Sequence, residues 1–283
     1  MKPKAGPDVD APEADRLKAS LALAGAGKMG GALLRAWLDR GYDPRKISVI
    51  EPRPSPEIIE LAQATGFALA APSRPPKILV LAMKPQALDE AAAGLAPFAS
   101  RDTLVVSILA GKSLANIAAR FPHATAIVRA MPNLAAVVGR GMAALVANAA
   151  ATPGDRAAAE ALFAATGRVE WLACEDIIDA ATAVSGSGPA YVFYLTECLA
   201  HAGVAVGLPD DVAARLARAT VEGAGELLFQ CPESTVAELR ENVTSRGGVT
   251  AAALEVLMAQ DGLMSLIERT VKAAKQRAAE LSG

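Results

Sequence analysis

Three glycines, Gly25, Gly27 and Gly30, have the G-x-G-x-x-G spacing between a short apolar run and an amphipathic helical pattern. In this spacing the first glycine permits a tight turn, the second lets the backbone approach a pyrophosphate, and the third lets the helix pack on the strand. The start of the helix adds N–H groups and a dipole that favour phosphate. Because Met29 follows Lys28 where a P-loop has Ser or Thr, the turn predicts a dinucleotide site and not a kinase-type loop.

Glu51 lies at the end of the second predicted strand, 21 residues beyond Gly30. An acid at about that distance binds the ribose 2′-hydroxyl and favours NADH. Arg53 and Ser55 follow closely in the sequence and could instead accept the 2′-phosphate of NADPH. The sequence therefore leaves the choice between NADPH and NADH open.

A second candidate site for an anion is the segment 243–250, with the sequence VTSRGGVT. This glycine-bearing loop leads into a helical pattern, and such a turn offers backbone N–H groups and hydroxyls to an anion. The same residues are typical of an ordinary helix cap in which Ser245 or Thr250 satisfies the end of the helix. The segment 185–189, SGSGP, also precedes a helical pattern and could be a flexible cap that lets two helices or two subunits approach closely.

The composition argues against several other kinds of chemistry. The chain has only His123 and His201 and shows neither an H-E-x-x-H pattern nor a C-x-x-C spacing, so we predict no metal site. A formal net charge of −2 argues against a nucleic-acid binder. No apolar run reaches the ~18–20 residues of a membrane span. The three cysteines indicate buried thiols in a reducing compartment, and the charged N-terminus is atypical of a secretory leader, so we expect a cytoplasmic protein.

These sites must be positioned by the elements around them. Strand-like runs alternate with helical patterns through the first part of the chain, and they fall at residues 20–24, 46–50, 78–82, 104–108, 126–129, 142–146 and 168–172. Thr152, followed by Pro153, predicts the start of a helix that runs to about Ala165. The alternation predicts an α/β, Rossmann-like, doubly wound parallel sheet.

The pattern changes near residue 174, where strand-like runs stop and long helical stretches begin. We therefore predict three parts of the chain. Residues 1–18 form a flexible N-terminal tail, residues 19–173 a dinucleotide-binding domain, and residues 174–283 an all-helical domain.

Five motifs occur in the order and context of one enzyme family. They are GAGKMG at 25–30, LAMKPQ at 81–86, RAMPN at 129–133, SGSGPAY at 185–191 and NVTSRGGVTAAALEVL at 242–257. On these motifs the chain, over roughly residues 20–275, resembles pyrroline-5-carboxylate reductase. Three features depart from the family pattern: Arg246 stands where Pro usually precedes the paired glycines, Val249 varies a permissive position, and Leu134-Ala135 replaces the usual Thr-Pro.

The resemblance implies NAD(P)H-dependent reduction of 1-pyrroline-5-carboxylate to L-proline, the last step of proline biosynthesis, with NADPH or NADH as cofactor. It implies a Rossmann domain followed by an all-α dimerisation domain like the C-terminal domain of 6-phosphogluconate dehydrogenase. The partners are then a small-molecule substrate and a second copy of the chain, in a homodimer that builds the active site, with a larger assembly such as a decamer possible.

The resemblance also assigns residues. By resemblance, the residues expected to bind substrate are Ser245, Gly247, Gly248, Val249 and Thr250, and Thr250 is the expected catalytic residue. Cofactor binding falls to the glycine turn, to the loops after the third and fourth strands and to the two residues after the second strand, namely Ala24, Gly25, Ala26, Gly27, Lys28, Met29, Gly30, Glu51, Arg53, Ala82, Met83, Lys84, Pro85, Ile108, Leu109 and Ala110.

In the chemistry so implied, the substrate is a cyclic imine that becomes a strong electrophile once its nitrogen is protonated. The protein then mainly orients the reactants, which fits a sequence with no evident His–carboxylate pair. We expect the amides of 247–249 to hold the carboxylate, Ser245 to support the loop and Thr250 to hydrogen-bond the nitrogen. Lys84 could act as an acid but equally suits a loop lysine, which we favour, and Asn133 suits a structural role.

Three other classes remain as alternatives. A β-hydroxyacid dehydrogenase shares the two-domain plan but needs a lysine soon after the glycines of its helical domain, and here no Lys follows Gly188 until Lys272. A non-catalytic NAD(P)-binding sensor would bind cofactor without oxidising it. A structural helical assembly protein would not need the G-x-G-x-x-G unit.

Overall fold

The computed structural model describes residues 19–282. The tail predicted for residues 1–18 lies outside the described residues. The described chain forms two compact units. The sheet unit comprises the residues up to Gly186 together with those from Lys275 onward, and the helical unit comprises Ser187–Ala274. The domain boundary that we place after residue 173 follows the last strand and stays a prediction.

A seven-stranded sheet forms the centre of the sheet unit. All seven predicted strands are present, as β1 Leu21–Ala24, β2 Ile47–Ile50, β3 Ile78–Leu81, β4 Leu104–Ser107, β5 Ile127–Pro132, β6 Gly141–Ala147 and β7 Gly167–Trp171. Their order across the sheet is β2-β1-β3-β4-β5-β6-β7. The order reverses at β1, between β2 and β3, and this is where open α/β sheets bind ligands at the carboxyl ends of their strands.

Two strands depart from the predicted parallel sheet. Strands β1 to β5 pair in parallel, but β6 runs antiparallel to β5, with Met131 opposite Ala144, and β7 pairs in parallel with β6. The connection between them, residues 133–140, contains one short 3₁₀ turn at Leu134–Val138. A parallel crossover needs a dozen or more residues, so this short connection turns the chain back and makes the sheet mixed.

Helices cover both faces of the sheet. They are α1 Lys28–Asp39, α2 Pro56–Thr65, α3 Leu88–Leu95, α4 Leu114–Arg120, α5 Pro153–Ala164 and α6 Ile178–Ala181. Short 3₁₀ turns lie at Pro44–Lys46, Pro85–Ala87, Ala96–Phe98 and Glu175–Ile177, and a π turn at Thr182–Gly186 follows α6. The predicted cap of α5 is confirmed, because Thr152 and Asp155 form a capping box and Pro153 occupies the first turn.

The core lies on both sides of the sheet because its central strands are apolar on both faces. Leu21 and Leu23 of β1 pack in one cluster with Leu33, Leu34 and Trp37 of α1. Leu79 and Leu81 of β3 pack in a second cluster that includes Leu88, Leu95, Ile117 and Phe121 of α3, α4 and the residue after α4. These clusters hold the strand ends at one edge of the sheet in fixed positions.

The helical unit contains α7 Gly188–Ala205, α8 Asp210–Gln230, α9 Val236–Asn242 and α10 Val249–Leu257, and α11 Leu263–Ser282 begins in it. Within residues 187–274, Ala213 and Ala217 are the only fully buried hydrophobic residues.

The cysteines correct our expectation of buried thiols. Cys174 and Cys198 are exposed in the single chain, and Cys231 is half-buried. None of the helices described here combines the length and apolar character that a membrane crossing requires.

Candidate active site

The backbone joins the carboxyl ends of four neighbouring strands. Gly25 N donates to Ile50 O at 3.0 Å, Ala82 N donates to Ala24 O at 2.7 Å, and Ile108 N donates to Leu81 O at 3.0 Å. These bonds tie the ends of β1, β2, β3 and β4 together. The structure thereby brings the segments predicted to bind cofactor, 24–30, 51–53, 82–85 and 108–110, to one edge of the sheet.

Each glycine of the G-x-G-x-x-G turn meets a different steric requirement. Gly25 has φ +97°, and a Cβ there would lie 2.6 Å from Met83 N. A Cβ on Gly30 would lie 2.1 Å from Gly25 O, so α1 can approach the turn this closely only without a side chain. A Cβ on Gly27 would meet nothing within 4 Å. The first and third glycines are therefore required by the fold, whereas the second leaves open space that suits the backbone approach of a pyrophosphate.

The start of α1 faces that open space. Gly27 is the N-cap of α1, and no side chain caps the helix there. Gly27 and Lys28 are exposed, in contrast to the buried Gly25 and Gly30. The first N–H groups of a helix have no partner within it, so the amides that follow Gly27 suit a phosphate anion.

The Glu51 carboxylate accepts two backbone hydrogen bonds that the sequence does not predict. Its Oε2 accepts a hydrogen bond from Ala26 N at 2.9 Å, and its Oε1 accepts one from Arg53 N at 3.1 Å. The carboxylate thus joins the glycine turn to the loop after β2. The Arg53 side chain is exposed, and only its backbone amide contacts Glu51.

The residues of the loops after β3 and β4 differ in their exposure to solvent. Leu109 is only 1% exposed and packs in the second core cluster, so its backbone alone faces the strand ends. Ala110 is exposed and Ile108 half-buried. Lys84 is exposed and precedes the 3₁₀ turn Pro85–Ala87, as suits a loop lysine.

Asn133 has the structural role that we predict. Its Nδ2 donates to Ser185 O at 2.9 Å, and its Oδ1 accepts from Met142 N at 3.2 Å. One side chain therefore joins the end of β5, the start of β6 and the π turn before α7.

The second predicted site lies in the helical unit, in the loop between α9 and α10. Gly247 has φ +66°, a left-handed conformation that favours glycine. Gly248 is the N-cap of α10, and no side chain caps this helix either. The backbone enters α10 with Val249 and Thr250 in its first turn, so their N–H groups have no partner within the helix. Loop and helix start together form a candidate anion site.

Ser245 lies beside this helix start. A Cβ on Gly248 would come within 2.3 Å of Ser245 Oγ, so the hydroxyl lies directly against the Gly248 backbone. Gly248 N donates to Ser245 O at 3.0 Å, which closes the turn. The Gly248 amide is thus engaged within the loop, whereas the first-turn amides of Val249 and Thr250 have no partner within α10. Carboxylate binding by the amides of 247–249 stays a prediction.

The titratable residues of the described chain are scattered. Over residues 19–282, no group of three or more His, Cys, Asp or Glu side chains is placed to hold a metal ion. His123 lies in an exposed loop, and His201 is exposed on α7. The two loops present backbone amides and hydroxyls, with the Glu51 carboxylate at the first loop and the exposed cations Lys28 and Arg246 beside the two helix starts.

Comparison with known families matches both parts of the chain. Residues 20–111 match the family model described as NADP oxidoreductase, coenzyme F420-dependent. Residues 175–281 match the model described as pyrroline-5-carboxylate reductase dimerisation.

Individual relatives cover nearly the whole chain. A pyrroline-5-carboxylate reductase of Synechocystis is 42% identical over 267 residues, which cover 92% of this chain and 97% of that protein. A Pseudomonas aeruginosa protein of the same name is 35% identical over 93% of this chain and 96% of its own length. The solved pyrroline-5-carboxylate reductase of Coxiella burnetii superposes with a TM-score of 0.86 at 32% identity, covering 94% of this chain and 99% of that one. A Plasmodium falciparum pyrroline carboxylate reductase, solved with NADP bound, gives 0.75 at 25% identity, covering 94% and 98%.

Proposed function

This chain belongs to the pyrroline-5-carboxylate reductase family, and we propose that it reduces 1-pyrroline-5-carboxylate to L-proline with NAD(P)H, the last step of proline biosynthesis. The observation that carries this function is that one chain, similar to these reductases along almost its full length, contains two uncapped helix starts that suit the two anions of the reaction. The glycine turn suits a dinucleotide, and the start of α10 suits a carboxylate.

The glycine turn and its neighbours would hold the cofactor. The open space at Gly27 and the uncapped start of α1 support pyrophosphate binding there. The loops 82–85 and 108–110 lie farther along the same sheet edge and would flank the nicotinamide half. When bound, reduced nicotinamide supplies the hydride that the imine carbon receives.

The loop before α10 would hold the substrate. We assign the substrate carboxylate to the first-turn amides of Val249 and Thr250, with Ser245 supporting the loop through the turn that its carbonyl closes. The exposed Arg246, in place of the family's proline, adds a positive charge beside this anion site. These groups fix the position of the ring, which is the main demand of a reaction whose electrophile is already activated.

Thr250 would hydrogen-bond the ring nitrogen. It is half-buried in the first turn of α10, next to the amides assigned to the carboxylate. In the reaction the C=N bond becomes a single bond, because its carbon gains a hydride and its nitrogen, once protonated, ends as a secondary amine. A hydroxyl fixed at the nitrogen holds that proton in place while the carbon is reduced.

The enzyme would act as a homodimer. The helical unit buries almost no hydrophobic side chain by itself, while Val192, Phe193, Leu227, Leu228 and Met264 are among its many exposed apolar residues. An apolar surface of this kind needs a partner, and the match to a dimerisation family supports a second copy of this chain. Further association, to a decamer for example, is part of the proposal.

The proposed compartment is the cytoplasm. Its reducing conditions suit three free cysteines and an enzyme that consumes reduced nicotinamide.

The absorbance of the reduced nicotinamide tests the function directly. Purified full-length protein with NADPH or NADH should oxidise the cofactor only when 1-pyrroline-5-carboxylate is added, and proline should form in equal amount. Cofactor that binds without substrate-dependent oxidation would instead favour the non-catalytic sensor.

A further inference from the structure

We propose that Glu51 makes this enzyme select NADH over NADPH. The inference rests on the proposed function only in that a nicotinamide dinucleotide occupies the glycine turn. From the sequence alone, Glu51 favours a ribose with a free 2′-hydroxyl, whereas Arg53 and Ser55 could accept a 2′-phosphate. The contacts around β2 distinguish between these residues.

The Glu51 carboxylate is held at the place where a dinucleotide ribose must lie. Glu51 directly follows β2, and β2 pairs with β1, whose carboxyl end leads into the glycine turn. The bond from Ala26 N to Oε2, 2.9 Å long, fixes the carboxylate one residue away from Gly27, where the pyrophosphate fits. The ribose next to that pyrophosphate therefore lies within reach of Glu51.

The Glu51 carboxylate can accept further hydrogen bonds besides the two from backbone amides. An ionised carboxylate has about four lone-pair positions on its two oxygens. Ala26 N and Arg53 N use one position on each oxygen. The remaining lone pairs suit the 2′- and 3′-hydroxyls of the ribose, which are donors, and they repel a 2′-phosphate, which has negative charge and accepts hydrogen bonds.

The alternative ligands for a 2′-phosphate are less suited to it. The pKa of the Glu57 carboxyl is lowered chiefly by a hydrogen bond from the Ser55 side chain, so that hydroxyl is already donated to an acid. Glu57 adds a second negative charge in the first turn of α2, and Arg35 of α1 is near enough to lower the same pKa further. Lys28 and Arg35 line the cleft of about 930 Å³ beside the turn, but Glu57 lines it too.

Binding measured without the imine tests this selection. The full-length enzyme is titrated with NADH and with NADPH, and also with ADP-ribose and its 2′-phosphate, by calorimetry or nicotinamide fluorescence. We expect the 2′-hydroxyl form of each pair to bind at least about tenfold more tightly, a difference of about 1.4 kcal/mol. Equal or tighter binding of the 2′-phosphorylated forms overturns the proposal.

Three variants locate the cause. Glu51→Gln keeps a side-chain oxygen for Ala26 N but removes the charge, so the preference should shrink to about threefold or less. Arg53→Ala should leave the preference unchanged, and a selective loss of NADPH binding in that variant would overturn the proposal. Glu60→Gln, which removes an exposed carboxylate from α2 nearby, is the charge-matched control and should change the ratio by less than about twofold.

The outcomes separate this proposal from the reductase function. A chain that prefers NADH in binding but does not oxidise it with 1-pyrroline-5-carboxylate retains the selection by Glu51 and loses the proposed reaction. A chain that reduces the imine but binds NADPH more tightly retains the reaction and loses the selection.

Discussion

Arg129 donates from Nη1 to Glu175 Oε1 at 2.9 Å, with only 3% of the arginine side chain exposed. The same glutamate oxygen accepts from Leu114 N, the first residue of α4, at 2.8 Å. Asp179 Oδ1 lies 3.6 Å from Arg129 Nη2. One carboxylate thus joins β5, the start of α4 and the turn before α6, next to the segment that leads into the helical unit.

This buried pair predicts a large loss of stability when its acid is removed. Within the described residues, Arg129 Nε and Nη2 are buried without a hydrogen-bond partner, so Glu175 accepts a charge-assisted hydrogen bond from the guanidinium while Asp179 contributes an ion pair without one. Glu175→Gln should lower the free energy of unfolding by roughly 3 kcal/mol, near the lower end for a broken buried pair because Glu175 is partly exposed. Denaturant unfolding at one fixed subunit concentration measures it.

The exposed pair Arg277–Glu280 is the control for that experiment. Its atoms lie 2.8 Å apart, but both side chains are about half exposed or more. Glu280→Gln should leave the free energy of unfolding nearly unchanged, because solvent and salt screen an exposed pair. Equal losses in the two variants would show that burial does not determine the contribution of Glu175.

Gly27→Ala should separate cofactor binding from folding. The backbone at Gly27, with φ −68°, accepts alanine, and the new methyl group would meet no protein atom within 4 Å. Because that space is assigned to the pyrophosphate, we expect the dissociation constant for NADH to rise more than about tenfold while the free energy of unfolding changes by less than about 1 kcal/mol. Calorimetric titration and denaturant unfolding measure the two quantities.

The neighbouring Gly31→Ala is the matched control. A Cβ there would lie 3.5 Å from Ala26 O and 3.6 Å from Ile58 Cδ1, which are ordinary contacts. Alanine inside α1 should stabilise the protein by about 0.5–1 kcal/mol and leave NADH binding unchanged. Normal NADH affinity in Gly27→Ala would argue against pyrophosphate binding at this glycine.

Thr250→Ala should lower turnover without weakening cofactor binding. Loss of the hydroxyl assigned to the ring nitrogen should reduce kcat by about 10²-fold, and Thr250→Ser should restore most of it. Steady-state kinetics with the imine and an NADH titration measure the two effects.

Thr244→Ala makes the same threonine-to-alanine change in the loop that precedes α10, and it is the control for Thr250. Its hydroxyl donates to Arg240 O at 2.7 Å, at the end of α9 and away from the start of α10. We expect kcat in this variant within about twofold of the wild type. Wild-type kinetics in Thr250→Ala would remove Thr250 from the mechanism.

The exposed apolar helices predict association in solution. Sedimentation should give a mass at least twice the 28.9 kDa of one chain, and a larger multiple would support further assembly. Leu227→Glu, which places a charge on an exposed leucine of α8, should shift the protein toward smaller species because a charge in an apolar interface is costly. A wild-type monomer at micromolar concentration would contradict the proposed dimer.

The sequence predicted most of the local structure because local structure follows local spacing. The apolar runs of β1 and β3, the cap at Thr152 and the glycine turn each depend on residues within a few positions of one another, and all are present. The direction of β6 was not predictable from its residues, because an apolar strand of that length suits either direction. Its antiparallel pairing depends on the short connection that precedes it.

For the candidate sites, too, some features follow from local sequence and others only from the tertiary structure. The sequence by itself determined which residue types could bind a dinucleotide or a carboxylate, since the glycine spacing and the loop at 243–250 are local patterns. The tertiary structure alone decided that Glu51 bonds to Ala26, 25 residues away, and that Arg129 pairs with Glu175, 46 residues away. Such contacts depend on which strands become neighbours in the sheet, and that order arises from burying all the apolar faces at once rather than from any one segment.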